Sequence, residues 1–255
     1  MIDIHSHLLY DIDDGPKTLR DTIELCEYGL EQDIEATVLT PHLTKPERVD
    51  SLISKRDRHV EALREELDRI GIDMLIYTGA EVFVNDDIFY AKKLEKAAIN
   101  NGRYILVEFD VSSLSIKRLI SYLNEIFDMG LLPIVAHPER YKYFQNDYAI
   151  LNYLVDMDVL FQVNAGSVAR FGKREEFELA YQMVLNNAAT FIATDAHSLD
   201  ARPNDLLRMV RHFPPDIKRE SLDFMLYEAP AAVINNEKIP RIPRRPITAK
   251  KRFFR

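Results

Sequence analysis

A parallel α/β architecture, built from seven strand-and-helix units that can close into a barrel, is the fold class this sequence predicts. Three observations carry it. Seven apolar, β-branched runs of strand length are spaced along the chain. Between them lie stretches with apolar residues at helical spacing, and strand, helix, strand over the whole length implies parallel pairing with right-handed crossovers. The 255 residues are 47% hydrophobic, enough for one large core. No linker, low-complexity stretch or repeat of solenoid period divides the chain upstream of residue 241.

In chain order, "MIDIH" is the first buried strand. After "DDG", Pro16 suits a first helical position, and Leu19, Ile23, Cys26 and Leu30 recur at helix spacing. "ATVLTPH" is the second strand, followed by a helical stripe of Val49, Ile53, Val60, Leu63, Leu67 and Ile70. "MLIYTGAE" and "YILVEF" are the third and fourth strands, and "SIKRLISYLNEIFDMG" the helix after them. "LPIVAHPE" and "LFQVN" follow as strands, then the helix "EEFELAYQMVLNNA" and the last strand "TFIATDAH".

Composition excludes several function classes. A net charge of −8 argues against a general nucleic-acid binder, which needs a broad basic face. No run of about 18 apolar residues occurs, and no basic start leads into an apolar stretch, so neither a membrane span nor a secretory signal is expected and the default location is the cytoplasm. Cys26 is the single cysteine, which rules out an internal disulfide and a multi-cysteine metal cluster. It also lacks the spacing of a thiol phosphatase, which needs arginine six residues on, where Gln32 stands.

The chemistry gathers at the strand ends. His7, His42, Glu81, Glu108, His137 and the pair Asp195/His197 each stand where a predicted strand finishes, and in a parallel barrel those ends share one face, the face that carries barrel active sites. Side chains two apart on a strand point the same way, so His5 and His7 aim together, as do Asp195 and His197. Imidazoles and carboxylates are ligands for zinc, manganese or iron. A lone strand-end histidine is more often a hydrogen-bonded structural residue, but five of the seven histidines fall at such ends. His59, within a helical stripe, and His212, at a helix end, read as surface or capping residues. Glu81 and Glu108 have a second reading, each paired with a buried arginine, and Asp13 or Asp14 a second reading as a helix cap.

"HSH", "DDG", "TPH", "GAE", "AHPER" and "TDAH", in that order over residues 1 to about 205, resemble the polymerase and histidinol phosphatase (PHP) superfamily. Within it, "MIDIHSHLLYDIDDGPKTL", "HPERY", "FQVNAGSVARFG" and "FIATDAHS" resemble the manganese-dependent tyrosine-protein phosphatases of the CpsB/CapC type, from bacterial capsule and exopolysaccharide operons. Relatives usually carry Pro-Gly where Tyr10 and Asp11 stand, and a histidine with an Asn-Gly turn near Leu43. The resemblance implies a distorted (β/α)7 TIM-like barrel with up to three divalent ions, manganese before iron or zinc. By that pattern His5, His7, Glu81 and Asp195 hold one ion, Glu81 bridges to a second with Glu108 and His137, and Asp14 (or Asp13), His42 and His197 hold a third. Arg140 and Arg202 are candidates to grip phosphoryl oxygens, and His42 to give a proton to the leaving group.

The implied substrate is a phosphotyrosine protein, a membrane-associated tyrosine kinase that regulates capsule synthesis. Two other readings stay open: a small-molecule phosphoesterase acting on histidinol phosphate or nucleotides, and an inactive metal-binding regulatory protein. Residues 241–255, "RIPRRPITAKKRFFR", hold seven Arg/Lys and no acidic residue, leaving residues 1–240 with 26 basic against 41 acidic side chains. The expectation is a phosphoesterase domain over 1–240 and a separate basic tail over 241–255, either solvated or touching anionic membrane.

Overall fold

In the computed structural model, which describes residues 1–248, the apolar runs become nine parallel-paired strands. They are β1 (Ile2–Ser6), β2 (Ala36–Leu39), β3 (His42–Leu43), β4 (Leu75–Thr78), β5 (Glu81–Phe83), β6 (Tyr104–Glu108), β7 (Leu132–Ala136), β8 (Leu160–Asn164) and β9 (Phe191–Ala193). One sheet runs β1-β2-β4 and the other β3-β5-β6-β7-β8-β9. Two predicted strands are each split. "ATVLTPH" breaks at Thr40 and Pro41, where proline has no N–H for the ladder. "MLIYTGAE" breaks at Gly79 and Ala80, and the buried Arg56 pins that break by donating to the Gly79 carbonyl at 3.0 Å.

Hydrogen bonds carry the pairing across both breaks, from Gly79 N–H to Leu39 O at 3.0 Å and from Glu81 N–H to Pro41 O at 3.1 Å. The ring therefore has seven strand positions. It closes between β9 and β1, where Asp195 N–H donates to His5 O at 2.9 Å and His7 N–H to Ala196 O at 2.8 Å. Asp3 braces this seam. Its carboxylate is fully buried and accepts the Thr194 N–H at 3.1 Å and the Thr194 hydroxyl. Burial raises its pKa, which these bonds partly offset.

The helices lie between the strands, as the alternation requires. They include α1 (Leu19–Glu31), α2 (Val49–Ile70), α3 (Ile116–Asp128), the short α4 (Lys142–Asn146), α5 (Tyr148–Asp156), α6 (Ala165–Val168), α7 (Arg174–Leu185) and α8 (Leu206–Val210). The first begins later than Pro16 suggests. Thr18 caps it, its hydroxyl accepting Asp21 N–H while the Asp21 carboxylate accepts Thr18 N–H, a reciprocal box that satisfies two otherwise unpaired donors. With Thr18 in that place, Asp13 and Asp14 do not cap the helix. Both faces of the strands are buried, as parallel sheets require, with Ile4, Val38, Leu106, Ile134, Phe161 and Ile192 all at 0% exposure.

The basic segment does not stand apart over the part described. Ile247 is buried, and its N–H and C=O pair with the Asn152 side chain, each at 2.9 Å. Arg245 N–H donates to Asn186 O at 3.0 Å, and Arg241 and Arg244 pair with Asp158 and Asp156. These partners lie in or just after α5 and α7, at the end of the ring away from the strand C-termini. Residues 249–255, with the "KKRFFR" run, lie outside the described residues. Ile247→Ala is expected to cost on the order of 2 kcal/mol by lost burial, read as a shift in urea midpoint without change in slope.

Candidate metal centre

Eight of the nine residues expected to bind metal lie on strands or in the segments that directly follow them, and the ring folds them into one mouth. β1 delivers His5 and His7, β3 His42, β5 Glu81 and β6 Glu108, while His137 follows β7 and Asp195 and His197 follow β9. Asp14 comes from the loop after β1. Its neighbour Gly15 is obligatory there, since a Cβ would stand 2.0 Å from the His7 carbonyl oxygen. His137 and Asp195 both adopt left-handed backbone, φ 32° and 54°, a conformation costly for residues with a side chain and typical of functional sites.

Glu81 is the hub. Its Oε2 lies 3.4 Å from His5 Nε2, 3.2 Å from His7 Nε2 and 3.1 Å from His42 Nδ1, yet it is buried with no hydrogen bond. Its Oε1 is 2.9 Å from His137 Nε2, which is 3.7 Å from Glu108 Oε1. Asp195 Oδ1 is 3.6 Å and 3.7 Å from the Nε2 atoms of His5 and His7. Asp14 Oδ1 lies 3.6 Å from His42 Nε2 and 3.3 Å from His197 Nε2. Three sets of donor atoms are compact enough to share an ion: His5, His7 and Glu81; His42, Glu81 and Glu108; and His7, Asp14, His42 and His197. Among the described residues Glu81 has no arginine partner, so the ion-pair alternative gives way to a carboxylate among imidazoles.

For three of the imidazoles, a hydrogen bond on the far side of the ring sets which nitrogen faces inward. His5 Nδ1–H donates to Gln162 Oε1 at 2.7 Å, His7 Nδ1–H to Asp13 Oδ2 at 2.8 Å, and His197 Nδ1–H to Asp195 O at 2.9 Å. In the neutral rings this leaves the Nε2 lone pairs aimed at the centre, the arrangement metal-ligating histidines adopt. Asp13 is thereby separated from Asp14: it orients His7 and also accepts Gly15 N–H and His42 N–H, at 3.1 Å each. Two lone pairs facing each other 3.2 Å apart, on His5 and His7, repel unless a cation lies between. The donor set therefore fits divalent ions. Without one, protons must serve: burial alone would lower the His7 pKa, but Asp13 and Glu81 bring it up to about 10. Burial would raise Glu81, yet His5, His137 and His42 hold it well below the usual carboxylate range. Glu108 is pushed up, by burial and then by the Glu81 charge.

Arg140 and Arg202 reach the same mouth. Arg140 pairs with Asp195 Oδ2 at 2.8 Å and Arg202 with the same oxygen at 3.3 Å, and Arg202 also comes within 3.6 Å of Asp14 Oδ2. His59 is not a plain surface residue. Its ring stacks on Tyr10 at 4.2 Å, and its Nδ1 donates to Tyr10 O at 3.0 Å, while Lys55 one turn earlier grips Asp11. Together they clamp the loop that carries Asp13 and Asp14. Asp11 has φ 52°, which explains why a glycine suits that place in the resembling sequences.

Sequence reasoning missed Gln162 and Asn164. They stand two apart on β8 and so share a face; Gln162 Nε2 donates to Asn164 Oδ1 and Asn164 Nδ2 to Asp195 Oδ2, both at 2.9 Å. A relay of amides thus runs from His5 to Asp195. Polar residues alternating inside the apolar run "LFQVN" were the available signal.

A family model described as "Capsular polysaccharide synthesis, CpsB/CapC" matches residues 1–235. The chain belongs to the CpsB/CapC family. Among relatives, CapC of Staphylococcus aureus is 33% identical over 262 residues, covering 99% of each chain. The tyrosine-protein phosphatase CpsB of Streptococcus pneumoniae is 32% identical over 213 residues, covering 80% of this chain and 85% of that one. A solved structure from the pair YwqE of Bacillus subtilis and CpsB of Streptococcus pneumoniae, described as unique metal-dependent tyrosine phosphatases, matches with a TM-score of 0.81 at 25% identity. That match covers 98% of this chain and 100% of the other, so the CpsB/CapC fold extends over the whole ring.

Gln162→Leu removes the acceptor that orients His5 without touching the centre directly. It is expected to weaken metal affinity about 10- to 100-fold, the usual effect of losing such a partner, measured by titrating metal-stripped protein; unchanged affinity would deny Gln162 that role.

Proposed function

We propose that this chain is a metal-dependent protein-tyrosine phosphatase acting on a phosphotyrosine protein of capsule or exopolysaccharide synthesis. The observation that carries it is Glu81 Oε2, a buried carboxylate oxygen with no hydrogen bond among three imidazole nitrogens, beside two arginines. In this reading His5, His7, Glu81 and Asp195 hold one ion, Glu81, Glu108 and His137 a second, and Asp14, His42 and His197 a third. The N/O donor set suits manganese, with iron or zinc as substitutes. Bound divalent ions would supply a nucleophile from water at neutral pH and neutralise charge on phosphoryl oxygens.

The protein's own groups do the rest. Arg140 and Arg202 hold the phosphoryl oxygens through their planar guanidinium forks, and Asp195 keeps both arginines turned to the mouth. His42, a third exposed in its side chain, reaches solvent and can give a proton to the departing oxygen. A phenol, with a pKa of about 10, needs little such help. Cys26 offers no thiolate route, because burial pushes its pKa up to about 12.

The partner in this reading is a tyrosine kinase at the inner face of a membrane, with the enzyme in the cytoplasm. No helix among the described residues is long and apolar enough to cross a membrane. Peripheral contact with anionic lipid through residues 241–255 remains part of the proposal, although Arg241 and Arg244 are already paired with body aspartates.

Chelation is expected to abolish hydrolysis of a phosphotyrosine peptide and manganese to restore it, while thiol alkylation does little. Faster turnover of histidinol phosphate than of the peptide would return the assignment to a small-molecule phosphoesterase. No turnover of either with any divalent metal would leave a regulatory metal protein. Arg140→Ala is expected to lose about 100-fold or more in kcat/KM, the scale of one electrostatic transition-state contact, while its metal content, read by elemental analysis, stays at the wild-type level.

A further inference from the structure

Single exposed apolar side chains are ordinary on a soluble protein, but two that wall one cleft beside a charged centre offer an apolar contact to a ligand bound there. Phe171 is 50% and Leu199 41% exposed, and both wall a cleft of about 410 Å³ that also takes in Arg140, Asp195 and Arg202. The wall of this cleft thus combines the arginine pair on Asp195 Oδ2 with apolar side chains. Phe171 is held in place rather than loose. Its N–H donates to Gly166 O at 2.8 Å, following Arg170 in a left-handed turn of φ 66°. Its ring meets the His212 ring at 5.3 Å and the Arg208 guanidinium at 5.7 Å. Those contacts fix the ring and still leave half of the residue uncovered.

We propose that this cleft is an aryl subsite: the phosphoryl oxygens of the substrate lie at Arg140 and Arg202, and its tyrosyl ring lies against Phe171 and Leu199. The proposal rests on the phosphotyrosine phosphatase reading above. A phosphotyrosyl side chain has the two chemistries this cleft offers, a dianion at one end and a flat apolar ring next to it. The cleft's volume falls in the range of small-ligand sites, so it takes one side chain rather than a face of folded protein. Tyr10, the aromatic residue of the first loop, stacks on His59 and does not line this cleft, whereas Phe171 does. An alkyl phosphate sets no ring on that wall. The subsite therefore adds discrimination at the binding step to that supplied by the phenol as a leaving group.

The test compares wild type with Phe171→Ala and Phe171→Tyr, all loaded with manganese, on free phosphotyrosine, on a phosphotyrosine peptide, and with inorganic phosphate as competitive inhibitor. Phe171 is half exposed, so both variants are expected to fold, checked by an unchanged thermal midpoint. Loss of one aromatic contact is expected to raise KM for free phosphotyrosine and for the peptide by about threefold to tenfold. Phe171→Tyr is expected to restore it, and the inhibition constant of inorganic phosphate, which has no ring, to stay put. An equal weakening of inorganic phosphate would mean that Phe171 acts through the arginines and would overturn the subsite. A KM change for the peptide alone would assign the wall to flanking residues and overturn it too. Failure of the wild type to hydrolyse phosphotyrosine at all is a different result, and it would sink the phosphatase reading instead.

Discussion

Everything in this molecule answers to a carboxylate that water cannot reach. Glu81 is about 1% exposed, and four imidazoles crowd its two oxygens. Taking such a charge out of water costs several kcal/mol in the absence of compensation, roughly. The compensation here is collective: ring nitrogens aimed inward, with those of His5 and His7 fixed from behind by Gln162 on β8 and by Asp13 in the loop after β1. No one strand could supply that. It requires strand ends from every part of the chain to meet, which a closed parallel ring accomplishes and an open sheet does not.

The fold was legible because burial leaves a plain trace. Each of the seven apolar runs marks a strand position, since parallel strands are covered on both faces. The helix after "DDG" was placed too early because Pro16 and Thr18 both carry start signals, and the reciprocal bonding of Thr18 and Asp21 outweighs a fixed φ. The breaks at Pro41 and Gly79 were invisible to periodicity, being interruptions of strands whose apolar pattern continues across them. The centre itself was legible in its inner layer, where imidazoles and carboxylates at strand ends are conspicuous. Its outer layer was not. Gln162, Asn164 and His59 act by hydrogen bonds to residues far away in sequence, and nothing local in their surroundings distinguishes them from a polar interruption or a solvated helix face.

The acidic body and basic end are likewise not independent. Arg241 and Arg244 meet Asp158 and Asp156, and Ile247 fills a place beside Asn152. The segment is tied to the turns that lead into β8 and β9, the strands that carry Gln162, Asn164 and the approach to Asp195. Over residues 241–248 it touches the ring opposite the mouth, so that part adds to the support of those strands without narrowing access to the arginines.

The seam between β1 and β9 gives the centre a place in time as well as in space. His5 and His7 belong to the first strand of the ring, and Asp195 and His197 follow almost two hundred residues later. Contacts so distant in sequence form late, because loop closure costs entropy before the contacts repay it. A nascent or truncated chain therefore carries half of the proposed metal site with nothing to complete it. Its hydrolytic chemistry can switch on only when the last strand has docked against the first, which makes the closing of the barrel its own quality check on a reactive centre.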